Sequence, residues 1–262
     1  MTSRESVQPP KSQSATVAEL RRTELFKDVP DKIIKALVQA GKVKLETLTP
    51  QTELTLRKGR TEYIYIIVSG YLEVRLNSAL IKKGNFLLAF RGPNQIVGEM
   101  NAIAGESGVA FISASEPCDL IQISSEALAA IAARDCRIYR NIASLLIKKT
   151  LQERKRIEVS LMRRGAAQVA KALLNFLDER GSDRDSDGGE VIRGIVRQRD
   201  IGDYVGSDRS TVAKPLRMLK ERGVIWYPDQ GYHKPQTFKV CNRRELEAFT
   251  TLTSTITRNK CA

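Results

Sequence analysis

The spacing of apolar residues changes character along this chain. Over residues 16–40 a helical period predicts short helices, with Ile33, Ile34, Leu37 and Val38 on one stripe. From Val43 to Ser124 the period falls to two. "TEYIYIIVSGYLEVRL" alternates and is rich in β-branched and aromatic residues, with Gly70 as a turn. "NFLLAF", "VAFISA" and "CDLIQIS" read the same way. Short strands at this regular spacing predict a β-sandwich or barrel, jelly rolls included.

Helical periodicity resumes at Ser125. Residues 136–164 predict one long helix, roughly 40 Å at about 1.5 Å per residue. Its seam runs through Ile138, Ile142, Leu145 and Leu146 and resumes at Ile157 and Leu161. Such a helix either dimerises or packs on its own domain. Dimerisation is the expectation adopted, because an isolated helix of this length needs a partner surface.

"GAAQVAKALLNFLDERG" continues as an amphipathic helix, "SDRDSDGGE" as a surface loop and "VIRGIV" as a strand. "GDYVGSDRSTVAKPLRMLKERGVI" then reads as a short helix, a tight turn and a longer helix. In the longer helix Val212, Leu216 and Leu219 turn inward, and Asp208 or Ser207 caps its start. Pro215 interrupts it. There the proline either bends the helix or fills an apolar site. "VIWY", "PDQGYHKPQ" and "TFKV" form a strand, a loop and a strand, a wing, and a last helix covers Arg243 to Thr253. The expected class is α+β, with a disordered tail over 1–16, a sandwich over 17–135, the long helix over 136–164 and a winged helix-turn-helix over 165–262.

Charge sharpens this division. The chain of 262 residues carries +13, and residues 136–262 hold 26 basic against 15 acidic side chains, a net +11. A basic half joined to a near-neutral one suggests a polyanion-binding module, though on charge alone a merely soluble basic protein fits as well. The face of the longer helix opposite its apolar stripe presents Ser210, Ala213, Lys214 and Arg217, with Arg209 at the N-terminal tip. Arg209 suits a bidentate contact to guanine, while Arg197, Gln198 and Thr211 suit phosphates. Double-stranded DNA is the expected partner.

Other chemistry is poorly represented. Cys118, Cys136, Cys241 and Cys261 are scattered, and His233 is the sole histidine. That disfavours a metal centre or a histidine-dependent triad, and no nucleophile–base set argues for an enzyme. No apolar run reaches the ~18 residues of a membrane span, and no signal-peptide core is evident, so a cytoplasmic protein is expected.

The order of sandwich, long helix and winged helix-turn-helix resembles the CRP/FNR family of bacterial transcription regulators. "RQRDIGDYVGSDRSTVAKPLRMLKERGVI" is similar to the family's helix-turn-helix. "YIIVSGYLEV" and "VGEMNAIAGESGVAFISA" are similar to its cyclic-nucleotide-binding domain. The resemblance implies a homodimer on an inverted-repeat operator, with RNA polymerase as a further partner. Ser210 stands where the best-known members carry glutamate, so the operator need not be theirs.

The resemblance also places Gly98 and Glu99 where the family binds ribose. The family's phosphate-neutralising arginine and the small residue after it are replaced by Gly108 and Val109. No Arg or Lys occurs from Gly98 to Ala133. Burying a phosphate without a cation is costly, so no cyclic-nucleotide cofactor is expected. A different small ligand, a cation supplied by the long helix, or no ligand at all remain open. Arg154 and Lys155 are the candidates on that helix, unless they form a solvated charge run. Rival readings are a regulator gated by a cyclic nucleotide or dinucleotide, and a winged-helix module that binds protein.

Overall fold

The fold was obtained as a computed structural model, which describes residues 13–76, 86–104 and 110–258. It opens with α1 (Gln13–Arg22), a 3-10 turn (Glu24–Phe26) and α2 (Asp31–Gln39). The expected disordered tail therefore overlaps a helix from Gln13, and residues 1–12 lie outside the described residues.

Strands β1 (Val43–Leu48), β2 (Arg57–Lys58), β3 (Thr61–Ser69), β4 (Leu72–Leu76), β5 (Phe86–Arg91), β6 (Ile96–Val97), β7 (Ala110–Ala114) and β8 (Cys118–Ser124) form two antiparallel sheets. One runs β1-β8-β3-β2 with β6 also on β3, and the other β5-β4-β7. The short helix α3 (Glu99–Ala104) follows β6. β3 explains why its alternation is blurred by a continuous apolar run. Ile64 and Ile66 pack with Leu25, Ile34 and Leu37 of the N-terminal helical layer. Tyr65 and Ile67, on the other face, pack with Leu72, Ile112 and Leu120 between the sheets. A strand covered on both sides has no polar face to show.

α4 (Ser125–Ala132) is capped by Ser124, whose hydroxyl accepts from the Ala127 amide at 3.2 Å. α5 (Arg137–Leu161) is the long helix. Its first half is pinned to the 3-10 turn by Asn141, whose side-chain amide donates to the carbonyls of Leu25 (3.0 Å) and Lys27 (2.8 Å). The inward seam differs from expectation beyond Leu145. Arg156 and Val159 are buried, whereas Ile157 and Leu161 point outward, Leu161 being 81% exposed. Their neighbours Ile147 and Leu151 are exposed as well.

After Gly165 the chain forms α6 (Ala166–Arg180), β9 (Ser182–Arg184), β10 (Glu190–Ile192), α7 (Gln198–Val205), α8 (Arg209–Glu221), β11 (Ile225–Trp226), β12 (Lys239–Val240) and α9 (Arg243–Arg258). The four strands make one sheet in the order β11-β12-β10-β9. The segment expected as a plain surface loop thus contributes a hairpin. It is tied down by Lys239, whose ammonium meets Asp185 at 3.0 Å and Asp187 at 2.6 Å. Phe176, Tyr204, Leu216 and Phe238 centre this half's core, and Leu87 and Phe90 of β5 belong to the same cluster. The Phe90 and Phe176 rings meet edge-on, with centroids 5.2 Å apart. The winged half therefore rests on the outer face of the sandwich.

Candidate nucleic-acid interface and effector cleft

The turn between α7 and α8 is made by Gly206, which closes α7 in the left-handed region at φ 65°. A side chain there would be strained, so glycine fits the tight reversal. Asp208 then caps α8. Its carboxylate accepts from the Thr211 amide at 3.0 Å, and from the hydroxyls of Ser210 (2.8 Å) and Thr211 (2.7 Å). The first turn of α8 is thereby fixed before it meets anything.

Val212, Pro215, Leu216 and Leu219 form the buried stripe of α8. Pro215 lies within it, so its ring serves as one of the apolar contacts that hold the helix, and α8 runs unbroken from Arg209 to Glu221. Arg209, Ser210, Lys214 and Arg217 are all exposed on the remaining face, and Thr211 is half-buried. The Arg209 guanidinium lies 5.8 Å from the Tyr232 ring, which brings the wing beside the helix tip. Short polar groups and exposed cations share one face, the arrangement that suits reading a groove.

Arg197 and Gln198 are not on that face. Both are buried, because the start of α7 docks on β4 of the sandwich. The Arg197 guanidinium pairs with Glu73 at 3.0 Å, and its amide donates to Asp200 at 2.8 Å. Arg75, also on β4, reaches Asp200 at 2.7 Å and Asp203 at 2.6 Å. Contact with phosphate in this arrangement is blocked for Arg197 by a carboxylate from the other half of the chain. Sequence reading missed Glu73 and Arg75, charges placed mid-strand in "YLEVRL" where alternation treats them as solvent-facing.

The candidate effector cleft is built around the turn into α3. Gly98 sits at φ 88°, and a Cβ there would fall 2.3 Å from the Tyr63 carbonyl oxygen. Glycine is needed so that the backbone can approach β3. Glu99 follows, almost fully buried, and pairs with Lys149 of α5 at 2.5 Å. Burial pulls the Lys149 ammonium below the usual lysine range, partly offset by the Glu99 charge. The second Glu99 oxygen is buried without a hydrogen-bond partner. A cavity of about 230 Å³ lies alongside, lined in part by Asn94, Ile96, Leu145, Lys149 and Gln152.

The cation that α5 offers to Glu99 is thus Lys149. Arg154 is exposed, and Lys155 pairs with Asp178 at 2.9 Å instead. A signal for Lys149 did exist. It falls four residues after Leu145 on the buried seam, where a charge interrupts an otherwise apolar face. Gly108 and Val109 lie outside the described residues. Among the described residues no group of His, Cys, Asp and Glu gathers to hold a metal, and no helix is long and apolar enough to cross a membrane.

Comparison with known proteins agrees with this architecture. Residues 45–135 match the family model of the cyclic nucleotide-binding domain. The Cyclic AMP receptor protein of Thermus thermophilus is 26% identical over 162 residues, covering 62% of this chain and 70% of that protein. The cAMP-activated global transcriptional regulator CRP of Escherichia coli O157:H7 is 23% identical over 185 residues, covering 67% and 82%. Among solved structures, a CRP/FNR-family transcriptional regulator, also from Thermus thermophilus, shares the fold at a TM-score of 0.61 and 18% identity, over 79% of this chain and 98% of that one. A cyclic nucleotide-binding domain containing protein from Listeria monocytogenes does so at 0.63 and 17%, over 79% and 92%. Residues 45–135 thus form a domain of the cyclic nucleotide-binding type, and the chain as a whole, with its long helix and winged helix-turn-helix, is similar to transcription regulators of the CRP/FNR family.

Proposed function

We propose that this chain is a sequence-specific DNA-binding regulator that acts as a homodimer on an inverted-repeat operator, without the ordinary cyclic-AMP mode. One observation carries the reading: α8 buries Val212, Pro215, Leu216 and Leu219 while leaving Arg209, Ser210, Lys214 and Arg217 on a single exposed face. Arg209 reads a base edge, and the flanking cations meet phosphates.

Dimerisation is supported by α5. Ile147, Leu151 and Leu161 are exposed at heptad-compatible spacing, with Arg154 and Glu158 between them. This seam, apolar at three of five heptad positions with Arg154 and Glu158 at the other two, is the surface on which α5 pairs with its own copy. Two α8 helices then enter successive major grooves about 34 Å apart. RNA polymerase is the further partner, and the cytoplasm the compartment, that this reading carries.

Independence from cyclic nucleotide is supported by Glu99, whose charge is already met by Lys149. A ligand reaching for Glu99 would have to displace a buried ion pair. Selection of binding sites from a random duplex pool tests the whole reading, run with and without cyclic AMP and cyclic GMP. An enriched inverted repeat in both conditions is expected. Absence of enrichment over random duplex would remove DNA reading, and enrichment only with nucleotide would restore ordinary gating.

A further inference from the structure

The contact between the halves of the molecule is unusual in its chemistry. Glu73 and Arg75 of β4 meet Arg197, Asp200 and Asp203 of the α7 segment, and all but Asp203 are more than nine-tenths buried as side chains. Arg75 is held by three carboxylates, Glu73 at 2.8 Å, Asp200 at 2.7 Å and Asp203 at 2.6 Å. Glu73 spends its other oxygen on Arg197 at 3.0 Å. Two further contacts fasten the same junction. The Tyr71 hydroxyl donates to the Arg180 carbonyl at 2.6 Å, and the Glu116 carboxylate accepts from the Ile195 amide at 2.9 Å.

Burying five charges is an inefficient way to hold two surfaces together, since desolvation offsets most of the attraction and apolar groups would do as well. What an ionic junction offers is the ability to exchange partners. Arg197 stands at the N-terminus of the first helix of the helix-turn-helix, where cations commonly hold the DNA backbone and set the register of the reading helix. Its present partner is an anion of the sandwich. The reading face of α8 remains open in this state, so a duplex can approach before the contact breaks.

We propose that Glu73 is an autoinhibitory surrogate for a DNA phosphate: it holds Arg197 in a closed form, and a duplex opens that form by taking Arg197 from it. This rests on the DNA-binding reading above. The closed form lowers apparent affinity by the fraction of molecules that are open. Neutralising Glu73 while keeping its shape therefore raises affinity, while the salt dependence stays close to that of wild type because Arg197 meets the duplex in both complexes.

The test compares wild type, Glu73→Gln, Arg197→Ala and the double variant by duplex titration over a range of salt. Glu73→Gln should bind roughly tenfold more tightly, the size of one charge-assisted contact. Its slope of log K against log salt should match wild type, whereas Arg197→Ala should flatten it by about 0.9, the loss of one phosphate contact. In the Arg197→Ala background the same change should give no gain. Wild-type protein supplies a second readout that needs no variant to fold. Carbodiimide labelling of carboxyl groups, located by mass spectrometry, should spare Glu73 in free protein and mark it in the duplex complex. Binding by wild type, with unchanged affinity in Glu73→Gln and Glu73 still unlabelled in the complex, overturns the latch alone. Failure of wild type to bind any duplex at low salt overturns the DNA-binding reading, and the latch with it.

Discussion

Lys149 of α5 and Glu99 at the start of α3 neutralise each other at 2.5 Å, in the cleft where the sandwich meets the long helix. Removing one partner strands the other charge. Lys149→Ala should therefore cost about 3 kcal/mol of stability, and Glu99→Ala a similar amount. The double change Lys149→Ala with Glu99→Ala should cost far less than the sum. Urea denaturation of the four proteins reads the coupling, and additive losses would show that the pair does not act as one.

At the reading helix, Arg209→Ala should weaken operator binding by about 1–3 kcal/mol and relax preference at one base pair per half-site. Lys214→Ala and Arg217→Ala should instead weaken all duplexes alike and flatten the salt dependence. Competition titrations with single-base operator variants separate these outcomes. Unchanged base preference in Arg209→Ala would place the reading tip elsewhere.

Pro215 sets two opposing terms. Replacing it with alanine relieves up to about 3 kcal/mol of helix penalty. The buried ring is lost, at about 0.8 kcal/mol for each of two methylenes. The difference favours alanine by about 1 kcal/mol, so Pro215→Ala should melt at a higher temperature than wild type. A lower melting temperature would mean that packing of the ring outweighs the helix term. If operator preference also shifts, the proline shapes the approach of Arg209 to the groove; unchanged preference leaves it a core residue alone.

Glu179 of α6 is buried beside β5, where it accepts weakly from the Phe90 amide at 3.5 Å and the Tyr204 hydroxyl at 3.4 Å. Burial pushes its carboxyl up to about 7, with the nearby Arg91 charge opposing. The folded value lies above the unfolded one, so the folded protein binds the proton more tightly. Its stabilising contribution is full below about pH 4.5 and is lost as pH rises through 7. Glu179→Gln should match wild type at pH 4.5 and exceed it by about 3 kcal/mol at pH 8. Denaturation curves at both pH values check this, and a pH-independent gap would refute it.

Periodicity carried much of the architecture. The strands of "TEYIYIIVSGYLEVRL", the long helix and the strand–loop–strand after α8 follow from local pattern, because each element buries a face of its own. What failed to show were relationships between distant segments. Glu73 and Arg75 look like solvated strand residues until α7 is laid over them. Arg197 looks like a surface cation for the same reason. Along α5, Ile157 and Leu161 continued a plausible seam, yet Arg156 turns inward onto β5 and Val159 into the core of the winged half instead. The Arg156 side chain manages this by donating to the Leu87 carbonyl at 3.0 Å and stacking on the Phe86 ring at 3.8 Å.

The aromatic contact of Phe90 with Phe176 also bears on how such a chain can be divided or recombined. The short linker at Gly165 looks like a natural place to cut, but the apolar cluster ignores it and takes in Leu87 and Phe90 from the sandwich. A fragment beginning at α6 would carry a raw aromatic surface and self-associate, and the remaining sandwich would bare the matching patch. Grafting this winged half onto another sandwich would succeed only where the recipient strand already offers comparable bulk.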